Sequence, residues 1–135
     1  MYKGTITNTL TGVQANTNIP FQKALNTNSN TIWNDTDNTL AIVNSGYYDI
    51  MVNLYLTNIT TDVTVQVYNN GEPIAETLVA KSATMTSRLV TVTSIDTIRV
   101  ANDIPTNRVN LSVRIGGTTT TADIVRGVFI VEKRR

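Results

Sequence analysis

More than a third of this chain is β-branched, and that feature constrains its fold more than any other. It contains 24 threonines, 15 valines and 13 isoleucines, together 52 of its 135 residues. Such side chains are stiff at the first torsion and suit a pleated, half-buried surface. The 16 asparagines suit turns, and charged residues, at 16%, are too few to cover a helical bundle. The sequence therefore predicts one all-β domain whose outer surfaces are polar but uncharged.

The residue types that the chain lacks exclude most catalytic and metal chemistry. There are no cysteines and no histidines, which removes disulfides, thiolate zinc sites, cysteine nucleophiles and the commonest general base. The sequence contains no nucleophile elbow and no glycine-rich phosphate loop before a helix. The net charge of +1 comes from scattered residues, unlike that of a nucleic-acid-binding protein. We therefore expect no enzyme activity, no catalytic residue, no cofactor, no metal and no nucleic acid partner.

Alternating apolar residues predict about eight to ten short strands and no helix. Turn residues separate the strands at short intervals, and Asn69-Asn70-Gly71 is a strong hairpin signal because Asn and Gly accept positive φ. This pattern is typical of a β-sandwich or jelly roll. The expected strands are 18–25, 39–43, 47–56, 62–68, 72–80, 83–93, 97–101, 108–115 and 124–131, with a loop over 26–38, a turn at 94–96 and a loop over 116–123.

Two of these strands carry large apolar side chains on both faces. In strand 47–56, one face is a core face, and three large side chains lie on the other. Strand 124–131 carries large apolar residues on both faces. A strand of this kind has to be covered on both sides. The side chains that make the second covering necessary are Tyr47, Met51, Tyr55, Val128, Phe129 and Ile130.

The first 18 residues alternate Thr and Asn with the single apolar residues Ile6, Leu10 and Val13. They are either an edge strand with a frayed end or an arm that docks onto a partner. We divide the chain into an amino-terminal arm, 1–18, that anchors it through those three residues, and a domain, 19–135. The start holds no apolar run long enough for a signal peptide, and no window is long and apolar enough to span a membrane. We expect synthesis in a cytoplasm and no membrane insertion.

The order of signals along most of the chain resembles that of one family. The residues that carry the resemblance are Asn18-Ile-Pro-Phe21, Gly46-Tyr-Tyr-Asp-Ile50, the segment 67–74 with its Asn-Gly turn, the alternating segment 89–100, and Arg126-Gly-Val-Phe-Ile-Val131. In this order they resemble the jelly roll of the complement first component's globular head and tumour necrosis factor. Ile50 stands where that family prefers Phe, and the 135 residues contain no collagen-like stalk. The resemblance therefore implies the fold and assembly of the family rather than its complement-type biology.

The resemblance also implies a homotrimer. In that family, the sheet with the opening, long central and closing strands faces a threefold axis. The implied trimer interface contains the six side chains named above, Tyr47, Met51, Tyr55, Val128, Phe129 and Ile130. The alternative is that loops or the amino-terminal segment cover this face within one subunit.

Two polar regions are candidates for ligand binding. Trp33, in an Asn-rich loop, either stacks on a sugar or plugs the end of the sandwich, and Tyr68 is a second candidate for sugar stacking. Asp35 and Asp37 lack the Gly and the distant Glu of a calcium loop, which favours a solvated turn over a metal site.

A small, cysteine-free, Thr- and Asn-rich trimer module resembles a component of a bacteriophage virion. We expect a head fibre or capsid decoration protein, located in the virion and bound to other virion proteins. A second hypothesis is the receptor-binding tip of a tail fibre that attaches to a host-surface glycan through Trp33, Tyr68 or the Asn loops. A third is a bacterial surface or spore-coat protein of the same fold.

Overall fold

The computed structural model describes residues 1–27, 29–59, 61–82 and 89–134, and within these ranges the chain is a β-sandwich without an α-helix. Short 3₁₀ turns occur at Ala75–Thr77, Ala101–Asp103 and Pro105–Asn107. The strands are β1 Tyr2–Ile6, β2 Leu10–Gln14, β3 Gln22–Asn26, β4 Thr31–Asn34, β5 Thr39–Ile42, β6 Gly46–Thr57, β7 Val63–Asn69, β8 Glu72–Pro73, β9 Val79–Lys81, β10 Leu89–Ile98, β11 Val109–Gly117 and β12 Thr121–Lys133.

The strands form two antiparallel sheets. The first has the order β10-β6-β12-β1-β3, and β2 pairs with the start of β12. The second has the order β4-β5-β11-β7-β8, and β9 also pairs with β7. The chain passes from β5 in the second sheet to β6 in the first and returns in β7, and it crosses again between β10, β11 and β12. This is a jelly roll, which confirms the predicted fold class.

The core lies between the sheets and is built from alternate residues, as period two requires. Burial of this apolar surface is the main force that holds the sandwich together. The largest contribution comes from β6, whose inward residues are at most 1% exposed. The inward residues of β6, β7 and β11 are Tyr48, Ile50, Val52, Leu54, Leu56, Val63, Val65, Val67, Val109, Leu111, Val113 and Ile115.

Four aromatic rings close one part of the core. The Tyr2 ring stacks on the indole of Trp33 with a centroid distance of 5.6 Å, and it meets Phe129 edge-on at 6.0 Å. Phe21 packs on Phe129 at 5.4 Å. Contacts of this kind stabilise the fold by about 0.5–1.5 kcal/mol per pair, beyond the stabilisation that comes from burying the surface of the rings. The first strand of the chain is therefore fixed by side chains from β4 and β12.

We expect Gly4→Ala to destabilise the protein by about 1–3 kcal/mol, because the site has no room for a methyl group. A Cβ at Gly4 would lie 2.6 Å from Tyr2 Oη and 2.9 Å from Phe21 Cβ. Chemical denaturation measures the loss. Tyr2→Phe removes a buried hydroxyl without a hydrogen-bond partner among the described residues, so the double variant should be more stable than Gly4→Ala alone. Equal stability of the single and double variants would show that the Tyr2 hydroxyl is not the obstacle.

The hairpin at Asn69-Asn70-Gly71 is confirmed. Strands β7 and β8 are joined by Asn70, with φ 50°, and Gly71, with φ 83°. Two positive φ values in a two-residue loop match the right-handed twist of the strands. The Asn70 side chain fixes this turn to β11, the neighbour of β7 in the sheet, since Asn70 Oδ1 accepts a hydrogen bond from the Asn110 N–H at 2.8 Å.

The expected turn at 94–96 is wrong. Strand β10 runs without interruption through this segment, and Ser94, Ile95 and Asp96 pair with successive residues of β6. Pairing to a long central strand satisfies the backbone there, so polar residues do not end the strand. The first part of the expected strand 83–93 lies outside the described residues, and residues 99–101 of the expected strand 97–101 are not in a strand.

Two further expectations need correction. The expected strand 72–80 is divided by the 3₁₀ turn at Ala75–Thr77, which the fully buried Thr77 stabilises. Thr77 Oγ1 accepts a hydrogen bond from the Val67 N–H at 3.0 Å and donates one to the Ile74 carbonyl at 2.7 Å. The expected loop 26–38 contains strand β4.

The structure places the first 18 residues within the sandwich, whereas the sequence predicted a separate arm. Strand β1 lies inside the first sheet between β12 and β3. Farther along, the N–H groups of Asn16 and Ile19 donate to the carbonyls of Ile115 and Val113, both at 2.9 Å. The segment therefore extends the second sheet along β11 and folds together with the rest of the chain.

Candidate functional site on the outer face of the first sheet

The outer face of the first sheet is the candidate functional site, and the register of three strands defines it. On β6, Met51 lies between Thr93 of β10 and Ile130 of β12. The next row joins Thr91, Asn53 and Val128 by the same pairing. These two middle rows carry no charged side chain on the three strands. The rows on either side are Leu89, Tyr55 and Arg126 at one end, and Ile95, Asp49 and Glu132 at the other.

Large apolar side chains are concentrated on this face. Among the described residues, eight large apolar side chains are at least 40% exposed, and five of them lie here. Monomeric proteins rarely leave such a set uncovered. The five are Leu25 opposite Lys3 of β1, Tyr47 and Tyr55 on β6, and Leu89 and Ile95 on β10.

Five of the six predicted interface residues lie on this face, and Phe129 does not. Phe129 points into the core, is 0% exposed and contacts Tyr2 and Phe21. Val128 and Ile130 lie on the outer face beside Tyr47, Met51 and Tyr55. The placement of these five agrees with the expectation, and their role in an interface stays a prediction.

The error for Phe129 is that three successive residues, 128–130, were assigned to one interface, although neighbouring residues of a strand point to opposite faces. A β-bulge also interrupts the alternation earlier in β12. Ile124 pairs with Leu56 and Arg126 pairs with Tyr55, so Val125 is an extra residue on β12. A bulge of this kind changes which side chains point inward on either side of it. Ile124 is buried before the bulge, whereas Phe129 and Val131 are buried after it. Alternation therefore holds from Val128 to Val131, and it fails for Ile124, which a strict period of two places on the face opposite to Phe129 and Val131.

A groove of about 820 Å³ crosses one end of this face. Its apolar side is formed by Tyr55, Leu89 and Val128, and Arg126 and Thr5 lie at its border. At the opposite end, the Arg134 guanidinium Nε lies 3.0 Å from both oxygens of Asp49. Both of these side chains are about half exposed, so the ion pair adds little stability. The face thus has an uncharged middle between two ends that carry both charged and large apolar side chains.

Trp33 and Tyr68 do not form one site. Trp33 pairs with Leu40 across β4 and β5 and faces the core, where one side of its indole is covered by Tyr2. Tyr68 is on the outer face of the second sheet, with the Arg114 guanidinium 4.5 Å above its ring. The two aromatic side chains therefore lie on opposite faces of the second sheet.

The predicted anchor residues differ in accessibility. Ile6 is 5% exposed and belongs to the core, so it is not available to a partner in this fold. Leu10 and Val13 are half-buried on β2 and pack against the core from its border. In the described part of the chain, β2 pairs with no strand other than β12, which leaves its other edge free.

Asp35 and Asp37 belong to a turn that the Asn34 side chain holds together. Asn34 Oδ1 accepts hydrogen bonds from the N–H groups of Thr36 and Asp37, at 2.9 and 3.2 Å. No three acidic side chains come together as a metal site in the described ranges. The residues described also include no helix with the length and apolar character needed to cross a bilayer.

Asp96 is the acidic group whose environment opposes ionisation. It shares the inward face of β10 with Val92 and Ile98, opposite Tyr48. Burial raises the pKa of Asp96 above its ordinary value of 3.8, and the nearby Glu76 carboxylate raises it further. A carboxyl with a raised folded-state pKa favours the folded state most at low pH, and that contribution is lost as pH rises through the folded pKa.

We therefore expect Asp96→Asn to make the protein more stable than wild type at neutral pH. The difference should shrink as pH falls through the raised folded-state pKa, and it should vanish below the ordinary value of 3.8, where Asp96 is protonated in both states. Denaturation at a series of pH values measures it. Asp103→Asn, an exposed change, is the control and should leave the pH profile as it is. A constant difference at all pH values would show that the Asp96 charge is not its cause.

Comparison with solved structures identifies the fold. The chain matches PRD1 vertex protein P5 with a TM-score of 0.69 at 14% identity, over 99% of this chain and 96% of that one. It matches Eiger TNF from S. frugiperda with a TM-score of 0.63 at 12% identity, over 99% and 92%. For rabbit GITRL the TM-score is 0.55 at 12% identity, over 100% and 98%. No protein-family model and no curated protein sequence matches. The chain thus has the jelly-roll fold of the tumour necrosis factor type, as its sequence resemblance implied.

Proposed function

We propose that this chain is a structural and binding protein of a bacteriophage virion, which assembles as a homotrimer. Its role is that of a head fibre or a capsid decoration protein. The trimer forms through the outer face of the first sheet, and the opposite side of the sandwich faces outward. The observation that carries the proposal is the concentration of exposed apolar side chains on that one face.

The composition of this face favours a second copy of the chain as its partner. One of its uncharged middle rows contains Met51 and Ile130, and the other contains Thr91, Asn53 and Val128. The charged groups lie towards the ends of the face. Charged residues are depleted at the centre of protein interfaces, and they are absent from the middle rows of this face. The tumour necrosis factor type of fold supports a threefold arrangement, because this sheet contains the opening, central and closing strands that face the axis in that family.

The virion role rests on the likeness to PRD1 vertex protein P5, which extends over nearly the full length of both chains. A shared fold is a weaker argument for function than a shared site. We place the attachment to the virion at β2, since Leu10 and Val13 are half-buried beside a free strand edge. A free edge can add a strand from another protein.

The first test is the mass in solution, by light scattering on a size-exclusion column. The proposal expects three times 14.8 kDa. A monomer would contradict the assembly and would mean that this face stays open in the free protein. Immunogold labelling of phage particles from the source culture tests the virion role, and unlabelled particles would contradict it. Labelling that survives Leu10→Ser with Val13→Ser would move the attachment away from β2.

A further inference from the structure

The outer face of the second sheet carries a polar trough made of two adjoining grooves. One, of about 460 Å³, is lined by Asn18, Ser112 and Arg114 together with Asp37. The other, of about 350 Å³, continues past Asp37 towards Arg108. The two share Asp37, Thr39 and Asn110. Small side chains form the floor, since Ser112 and Ala41 are outward-facing yet only 3% exposed.

The polar groups of the trough are held in place before any ligand arrives. Arg114 stacks on Tyr68 at 4.5 Å, and its Nε donates to Asn18 Oδ1 at 2.9 Å. Asn18 Nδ2 in turn donates to the Asp37 carbonyl at 3.0 Å. The backbones of Asn110 and Asn70 are joined by a 2.8 Å hydrogen bond. Groups fixed in this way lose little conformational freedom on binding.

Several of these groups keep unused hydrogen-bonding capacity. Asp37 Oδ2 accepts a hydrogen bond from Asn34 Nδ2 at 3.2 Å. Among the described residues, no hydrogen-bond partner is present for the two terminal nitrogens of Arg114, for the side-chain amide of Asn110, or for Asp37 Oδ1. The trough therefore offers a forked donor, an amide that donates and accepts, and a charged acceptor along one depression.

We infer that this trough binds a neutral glycan, whose hydroxyl groups pair with Arg114, Asn110 and Asp37. Adjacent sugar hydroxyls both donate and accept, which matches a surface with a carboxylate, an amide and a guanidinium side by side. The trough holds two arginines and two aspartates, Arg108 and Arg114 against Asp35 and Asp37. This balance gives no attraction for a polyanion such as nucleic acid.

The composition of the trough also disfavours a protein partner. Ile32 is the large apolar side chain exposed along it, at 47%, whereas protein interfaces usually have an apolar centre. Since the trough and the proposed trimer face lie on opposite sides of the sandwich, a trimer leaves the trough open. The inference goes beyond the proposed function and does not depend on it.

Titration of the isotope-labelled protein with glucose, galactose, mannose and N-acetylglucosamine, followed by NMR, tests the inference. At least one sugar should shift the amide signals of Asn110, Ser112 and Arg114. Arg114→Met keeps an unbranched side chain but removes the guanidinium, and it should weaken binding about tenfold or more. Asp37→Asn removes the charged acceptor and should weaken binding as well. Arg99→Met and Asp103→Asn are matched controls outside both grooves and should bind as wild type.

Three outcomes would overturn the inference. The first is that none of the four sugars shifts an amide signal from the trough. The second is that the shifts occur at residues outside the trough. The third is that Arg114→Met and Asp37→Asn bind sugar as tightly as wild type does. A host protein that is captured by wild type and lost with both variants, without sugar binding, would replace the glycan with a protein partner. The mass in solution is measured on the same samples, so a monomer that binds sugar separates failure of the trimer from failure of the trough.

Discussion

Tyr55→Asp should convert a trimer into a monomer of 14.8 kDa. Tyr55 is 40% exposed in the single chain and borders the groove at one end of the outer face of the first sheet. In a trimer built through this face, the substitution places a carboxylate in an apolar contact without a partner, which is among the costliest changes an interface can receive. Light scattering on a size-exclusion column measures the mass, and circular dichroism checks that the sandwich is intact.

Leu78→Asp is the matched control, because Leu78 is also an exposed apolar residue, at 51%, but lies next to β9 of the second sheet. It should leave the mass unchanged. Asn53→Arg is a second variant, which adds charge to a middle row without removing apolar surface, and it should also give monomers. A soluble trimer with Tyr55→Asp or Asn53→Arg would show that this face is not the interface.

The sequence allowed the prediction of those strands whose pattern is local. Strand β6, Gly46–Thr57, alternates over its whole length; it is one residue longer at each end than the expected 47–56, and its two faces agree with the expectation. The hairpin at Asn70 and Gly71 depends on two adjacent residues, so it could also be predicted from the sequence. In both cases the information lies in neighbouring residues, so reading along the chain is sufficient.

Features that depend on distant partners could not be predicted in this way. Strand β1 is polar in composition, but Tyr2 pairs with Val131 at the other end of the chain. The bulge at Val125 leaves no mark in a strand that is apolar on both faces. The trough joins Asn18, Asp37 and Arg114 from three separate segments. The sequence does show many Asn and Thr residues at outward positions. This pattern predicts that the outer surface is polar, but it does not predict which of these residues come together in the trough.

Phe129→Ala should cause the largest loss of folding stability, about 3–5 kcal/mol. Phe129 is 0% exposed and holds Tyr2 and Phe21 in the core, so its removal leaves a cavity where two sheets meet. Domains of this size have a total stability of about 5–15 kcal/mol. The loss should be seen by chemical denaturation in the monomeric Tyr55→Asp background, where unfolding is not linked to dissociation.

Ile130→Ala, one residue away on the outer face, should behave in the opposite way. In the monomeric background it should change stability by much less than Phe129→Ala, because Ile130 is only partly buried there. In the otherwise wild-type trimer it should weaken assembly and make the melting temperature depend more strongly on protein concentration. If the two variants lost similar stability as monomers, the opposite roles assigned to the two faces of β12 would be wrong.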